Sequence, residues 1–233
     1  NAFGLNGPND YAGTTTLVGG VTVLRDFGTL SKTSALSVSY AGLTIDNTQY
    51  ADVRNRVNKD APVFLSGANL TLLGRPQADS VETLGAVTLQ ESMNFVTTTP
   101  GGTGTNSATL FFADLTRAST AKGTAATVLF SGTNLGQLGS APRVLVSTFE
   151  AGNALTNNLL GGWVTVWTGA SAEFASYVPK LGVAALNAPG FAGYDATAFT
   201  VPATDPDQYS FQNIRLSSAT TLPSLAVLGG TMT

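Results

Sequence analysis

Four aromatic residues, Trp163, Trp167, Phe174 and Tyr177, form the densest group of large apolar side chains in the chain. In the segment GGWVTVW, alternation with a period of two predicts a strand that places both tryptophans on one face. Stacked rings can form a platform for sugar rings, but large aromatics more often cover a hydrophobic core, and that interpretation is favoured. Trp163, Trp167 and Tyr177 are therefore the candidate contacts for a glycan or a partner.

Carboxylates are the second group that could perform chemistry. Hydrolysis of a glycosidic bond needs two of them about 5 to 10 Å apart. The two candidate pairs are Asp205 with Asp207, and Asp52 with Asp60. The Asp-Pro-Asp motif predicts a turn, with a calcium site as the alternative. The charged segment 49–62, which contains the second pair, predicts a solvated loop. We therefore predict no catalytic, cofactor-binding or metal-binding residue.

The composition narrows the classes of function. The 233 residues include no His and no Cys, which removes the usual Ser-His-Asp arrangement, thiol nucleophiles, disulfides and zinc thiolate sites. Charged residues make up only 11%, and the net charge is −3. Because this charge distribution provides no basic surface for phosphate groups, we expect no nucleic-acid partner. The sequence contains no run of about 18 apolar residues, the length that would indicate a membrane-spanning helix.

Short β-strands must position the candidate residues, and the segment Leu5–Leu24 shows the order in which strands and turns alternate. A turn-rich opening is followed by a Thr run, the pair Gly19-Gly20 and an alternating strand in which Val23 is expected to point inward. The same order of strand, corner and strand recurs around Ser39–Gly42 and Ser66–Asn69. A recurrence of about 20 to 25 residues is typical of stacked coils.

Two regions follow from this pattern. Residues 1–131 are predicted to form β-solenoid coils, and residues 132–233 a continuing, less regular β region with larger loops, either in the same domain or separate. The segment Glu173–Tyr177 predicts a short helical turn or an edge strand. Poor helical periodicity throughout predicts an all-β protein.

The opening LNGPNDYAGTTT, with Gly19 and Gly20, resembles the autotransporter-associated β-strand repeat of bacterial secreted and surface proteins. Further segments are similar to long multi-repeat members of that group: ALSV, LTIDNT, DVRNRVNKDAPVFLSGANLTLLG, VETLGAVTL, GTNLGQLG, GGWVTVW and EFASYVPKLGVAAL. The resemblance implies a right-handed parallel β-helix that is secreted or displayed on a bacterial cell surface, often as part of a much longer polypeptide.

Three classes of function remain. The favoured one is a structural surface or fibre protein, which associates with itself end to end and needs no site residue. The second is an adhesin that binds a glycan or a partner cell through the aromatic residues. The third is a polysaccharide-active enzyme, which would need carboxylates that converge in a groove.

Overall fold

The computed structural model describes residues 2–102, 104, 106–118, 125–149, 155, 158–194, 210–211 and 226–227, which form strands, turns and bends and no helix. Fourteen strands make one large mixed sheet that does not close, and two short strands pair separately. Within the described residues, no helix has the length and apolar character needed to cross a membrane. The strands are β1 (Ala2–Leu5), β2 (Thr15–Val18), β3 (Val21–Leu24), β4 (Leu36–Ser39), β5 (Gly42–Asp46), β6 (Val63–Ser66), β7 (Asn69–Pro76), β8 (Asp79–Gly101), β9 (Ser107–Arg117), β10 (Ala126–Ser131), β11 (Arg143–Phe149), β12 (Val164–Trp167), β13 (Ala172–Val178), β14 (Gly182–Ala185), β15 (Ser210–Phe211) and β16 (Ala226–Val227).

The strands of the large sheet follow two parallel tracks. The first track runs β1, β3, β5, β7, β8, β10 and β12, and the second runs β2, β4, β6, β8, β9 and β11. The long strand β8 belongs to both, because its first half pairs with β6 and β9 and its second half with β7 and β10. Each strand therefore pairs with the next member of its own track, while the strand next in sequence belongs to the other track.

Sharp corners connect the second track to the first. Gly19, Tyr40, Gly67 and Ser92 occupy this corner in four successive turns, and each has a positive φ between 48° and 66°. Gly19 and Gly20 both take this conformation, which costs glycine little. The predicted order of strand, corner and strand is thus confirmed.

Register places like residues on top of one another. The inward ladder of the first track consists of Leu24, Ile45, Leu72 and Thr98, all 0% exposed. The neighbouring outward ladder consists of Val23, Thr44, Thr71 and Thr97. The expectation that Val23 points inward is therefore wrong by one position, and a shift of one residue exchanges the two faces of a strand.

The parallel progression stops at β12. The next strand, β13, runs antiparallel to β12 and then pairs with β14, so the Glu173–Tyr177 segment is a strand paired on both sides rather than a helical turn or an edge strand. Val183 of β14 joins the buried core. Gly182, at φ 89°, lets β14 approach β11, since a Cβ atom at this glycine would lie 2.3 Å from the carbonyl oxygen of Val144.

The two ladders generate a stability prediction. Leu24→Asp should lower the free energy of unfolding by roughly 3 kcal/mol or more, because it buries an unpaired carboxylate. Val23→Asp, one residue earlier on the outward face, should cost about 1 kcal/mol or less. Urea denaturation followed by tryptophan fluorescence measures both values. Equal losses in the two variants would contradict the assigned register.

Candidate functional site

A cleft of about 630 Å³ lies at the carboxyl ends of β8, β10 and β12. Its walls are the turn at 132–137, the start of the β12–β13 connection at 168–169, and the segment after β14 at 185–189. The volume lies within the roughly 300 to 1,000 Å³ range of ligand pockets. None of the described residues that line the cleft is charged.

Trp167 contributes the only aromatic side chain among the lining residues that the structure describes. It ends β12 in register with Ser131 of β10 and Thr97 of β8, so all three lie on the outward face. The hydroxyls of Thr97 and Ser131 share a hydrogen bond of 2.8 Å. Val166 points into the core, whereas Trp167 is 43% exposed. The predicted alternation is confirmed for Val164–Trp167, but Trp163 lies before the strand and does not share its outward face with Trp167.

The wall at 132–137 is a tight turn held by backbone hydrogen bonds. The Leu135 amide donates to the Gly132 carbonyl at 3.1 Å, and the Gln137 amide donates to the Asn134 carbonyl at 3.1 Å. Leu135 anchors the turn because its side chain is buried in the core. The side-chain amides of Asn134 and Gln137 make no hydrogen bond within the described part of the chain, so both are available to a ligand.

Trp163 does not line the cleft. It precedes β12, packs half-buried against the core, and has the guanidinium carbon of Arg117 5.5 Å from its ring centroid. Arg117 pairs in register with the buried Leu89, so it occupies the inward ladder position of the second track. The core interpretation of an aromatic side chain therefore describes Trp163 better than it describes Trp167.

Tyr177 also lies away from the cleft, where it covers an unpaired strand edge. Its hydroxyl donates to the carbonyl oxygen of Val146 at 2.8 Å and accepts from the Val146 amide at 3.3 Å. Its ring meets Phe149 edge-on, with centroids 5.0 Å apart. Val146 belongs to β11, which among the described strands pairs with β9 alone. Of the three candidate contact residues, the structure places only Trp167 in the cleft.

The carboxylate pairs form no site in the described residues. Asp205 and Asp207 lie outside those residues. Asp60 is exposed and paired with Lys59 at 2.7 Å, and Asp52 is half-buried. Where side chains are described, no three Asp or Glu residues are grouped to hold a metal ion.

The charged segment 49–62 is not simply a solvated loop, because Arg56 is fully buried. Its guanidinium donates to four backbone carbonyls and one side-chain amide oxygen. These acceptors are the carbonyls of Asp26, Gly28, Asp46 and Ala51, and Oδ1 of Asn47. We call Arg56 and these five acceptors the Arg56 network. It joins the connections that follow β3 and β5, and sequence reasoning missed it.

Glu82 supports the same connection from the next turn. Its carboxylate is buried and accepts from the backbone amides of Arg56 and Val57, each at 2.9 Å. Burial raises the pKa of Glu82 to about 7, although these amides and the Arg56 charge oppose the shift. Burial also lowers the pKa of Arg56, which Glu82 and three nearby Asp residues partly counteract. Both groups are closed off from solvent, so they act in folding rather than at a binding surface.

Comparisons of the chain with protein-family models, with curated proteins and with solved structures gave no match.

The raised pKa of Glu82 predicts a pH-dependent stability. Because the folded-state pKa of about 7 lies above the ordinary value of 4.5, the folded protein binds this proton more tightly than the unfolded chain. The contribution is complete below pH 4.5 and is lost as the pH rises to 7, by an amount on the order of 1 to 3 kcal/mol. Glu82→Gln should remove this part of the pH dependence.

Urea denaturation between pH 4 and 8 measures the difference between wild type and variant. Asp60→Asn is the matched control, because that carboxylate is exposed. Parallel pH profiles for wild type and Glu82→Gln would show that Glu82 is ionised throughout this range.

Proposed function

We propose that the chain is a right-handed parallel β-helix that serves a structural role at a bacterial surface or in the medium. In this proposal it is a segment or subunit of a larger, fibre-like assembly. The observation that carries the proposal is the in-register parallel pairing of both tracks, from β1 to β12 and from β2 to β11. Winding a chain through two such tracks gives one turn of a solenoid for each pair of strands.

Several features suit a structural role. Each turn presents its backbone groups to the next, so stability grows with the number of turns. The outward ladder of Val23, Thr44 and Thr71 gives a weakly charged surface, in keeping with a chain that is only 11% charged. The resemblance to the autotransporter-associated repeat supports the bacterial surface as the location.

The first turn offers an edge for assembly. Among the described strands, β1 pairs only with β3 and β2 only with β4, which leaves one edge of each unpaired. Phe3 and Val18 on these strands are 63% and 73% exposed. Unprotected edge strands pair readily with another chain. At the other end, Tyr177 occupies the edge of β11, so we propose that the β1 and β2 edges pair with a neighbouring copy or segment of the larger assembly.

Adhesion is the second candidate function, and the cleft beside Trp167 favours it. A solenoid that displays such a cleft would serve both as a spacer and as a binding module. A polysaccharide-active enzyme has less support, because the lining contributes no carboxylate from the described residues.

Engineered cysteines test the solenoid, since the chain contains no Cys. Thr44 and Thr71 are register partners one turn apart, so their Cα atoms lie about 4.8 Å from each other, within disulfide range. Thr44→Cys with Thr71→Cys should oxidise to an intramolecular disulfide. Thr44→Cys with Thr97→Cys, two turns apart, should not. Mass spectrometry after mild oxidation compares the two, and equal cross-linking would contradict the stacked turns.

Electron microscopy of native material and light scattering of the purified chain test the assembly. We expect concentration-dependent association that Phe3→Lys with Val18→Lys prevents, because charged side chains block pairing at a strand edge. Leu138→Lys is the control, since Leu138 is 83% exposed and lies in the β10–β11 connection. A strictly monomeric wild-type chain, or equal association of all variants, would refute assembly through this edge.

A further inference from the structure

We infer that the cleft beside Trp167 binds a neutral oligosaccharide without cleaving it. The inference concerns a site separate from the β1 and β2 edges, so it stands independently of the proposed assembly. It is supported by Trp167, by the side-chain amides of Asn134 and Gln137, which have no hydrogen-bond partner among the described residues, and by the nearby hydroxyls.

The aromatic surface is the first element of this saccharide site. Trp167 is 43% exposed and stands in the outward register row beside Ser131. An indole ring offers an apolar face together with an N–H donor, which suits the apolar face and the polar rim of a pyranose. Val166 and Leu135 are buried beneath the cleft, so the chain supports the tryptophan from the core side.

The hydrogen-bonding groups form the second element. Asn134 and Gln137 each present a carbonyl acceptor and an NH₂ donor, and Thr99 and Thr133 add hydroxyls. Sugar hydroxyls both donate and accept, so side chains with the same dual capacity complement them. A negatively charged ligand, such as a phosphate or a sulfated glycan, would need Lys or Arg, and the described lining contains neither.

The walls are held before any ligand arrives. The Gly136 amide donates to the Pro142 carbonyl at 3.0 Å, and the Thr168 amide donates to the Ser171 carbonyl at 3.0 Å. Gly136, at φ 74°, also packs so closely on β14 that an added Cβ would lie 2.8 Å from the Cβ of Ala184. Rigid walls lower the entropy lost when a ligand binds.

Binding without hydrolysis is inferred because none of the described residues that line the cleft carries a carboxylate. Glu173 is 3% exposed and pairs in register with the inward Val166, so it lies on the core side of the sheet. Its two oxygens accept hydrogen bonds from Ser171 and Tyr194, each at 2.8 Å. Cleavage needs two carboxylates that flank the glycosidic bond, and Glu173 is already committed on the inner face.

An array of neutral and charged oligosaccharides, followed by isothermal titration calorimetry of wild type and variants, tests this inference. In the wild type, tryptophan fluorescence also reports the location of binding, because the chain contains only two tryptophans and Trp163 is packed against Arg117. We expect binding of neutral oligosaccharides that Trp167→Ala weakens at least about tenfold, or about 1.4 kcal/mol. Gln137→Ala should weaken it severalfold.

Two controls separate loss of the site from loss of the fold. Tyr177→Phe removes a hydroxyl that bonds to β11 away from the cleft, so it should leave ligand affinity unchanged. Trp167→Phe keeps an aromatic surface and should retain part of the affinity if Trp167→Ala fails to fold. Failure of every neutral oligosaccharide to bind, selective binding of charged ones, or undiminished binding by Trp167→Ala would each overturn the inference. Light scattering of the same samples reports independently on assembly.

Discussion

Parallel pairing in register is the constraint on which this structure depends. Once Ile45 stacks on Leu24, and Leu72 on Ile45, the side chain at each ladder position must suit the one before it. Inward positions are therefore apolar in turn after turn, and a single polar member such as Thr98 has to be accommodated within an apolar row. The same constraint fixes the corners, where successive turns repeat a left-handed residue. A change in one turn is consequently felt by the turns on either side.

The connections between tracks lie outside this pairing, and their backbone groups need other partners. Arg56 supplies five donors in a fixed planar arrangement, which matches the carbonyls that successive connections bring to one point. Glu82 then satisfies two amides of the same segment. A buried cation is costly unless it is hydrogen-bonded, so the Arg56 network is stable only when these connections are correctly stacked. The network thus links the order of the turns to the conformation of the loops.

Much of the strand pattern could be predicted from the sequence, because alternation and corner residues are local signals. The corner at Gly19-Gly20 and the alternation that ends at Trp167 needed no tertiary information. The phase of the short strand β3 was mistaken, because Val21 and Val23 make the more apolar face of the strand, yet Leu24, on the face shared with Thr22, is the buried residue. Arg56 could not be found this way, because its partners are backbone carbonyls from remote turns. Glu82 did leave a signal, as it alternates in phase with the buried Leu84.

The cleft arises where the turns lengthen. Register partners are 28 residues apart at Thr88 and Thr116, but 36 apart at Ser131 and Trp167, the interval that contains the turn at 132–137. The ladder accepts only a fixed number of residues per turn, so the additional ones leave it as loops, and the turn at 132–137 is one of these. Its anchor, Leu135, remains in the core while Asn134 and Gln137 face the cleft. Loops held on a rigid scaffold can change their exposed side chains without disturbing the pairing beneath. The two roles proposed for this chain, recognition and structural support, therefore depend on different residues of the same fold.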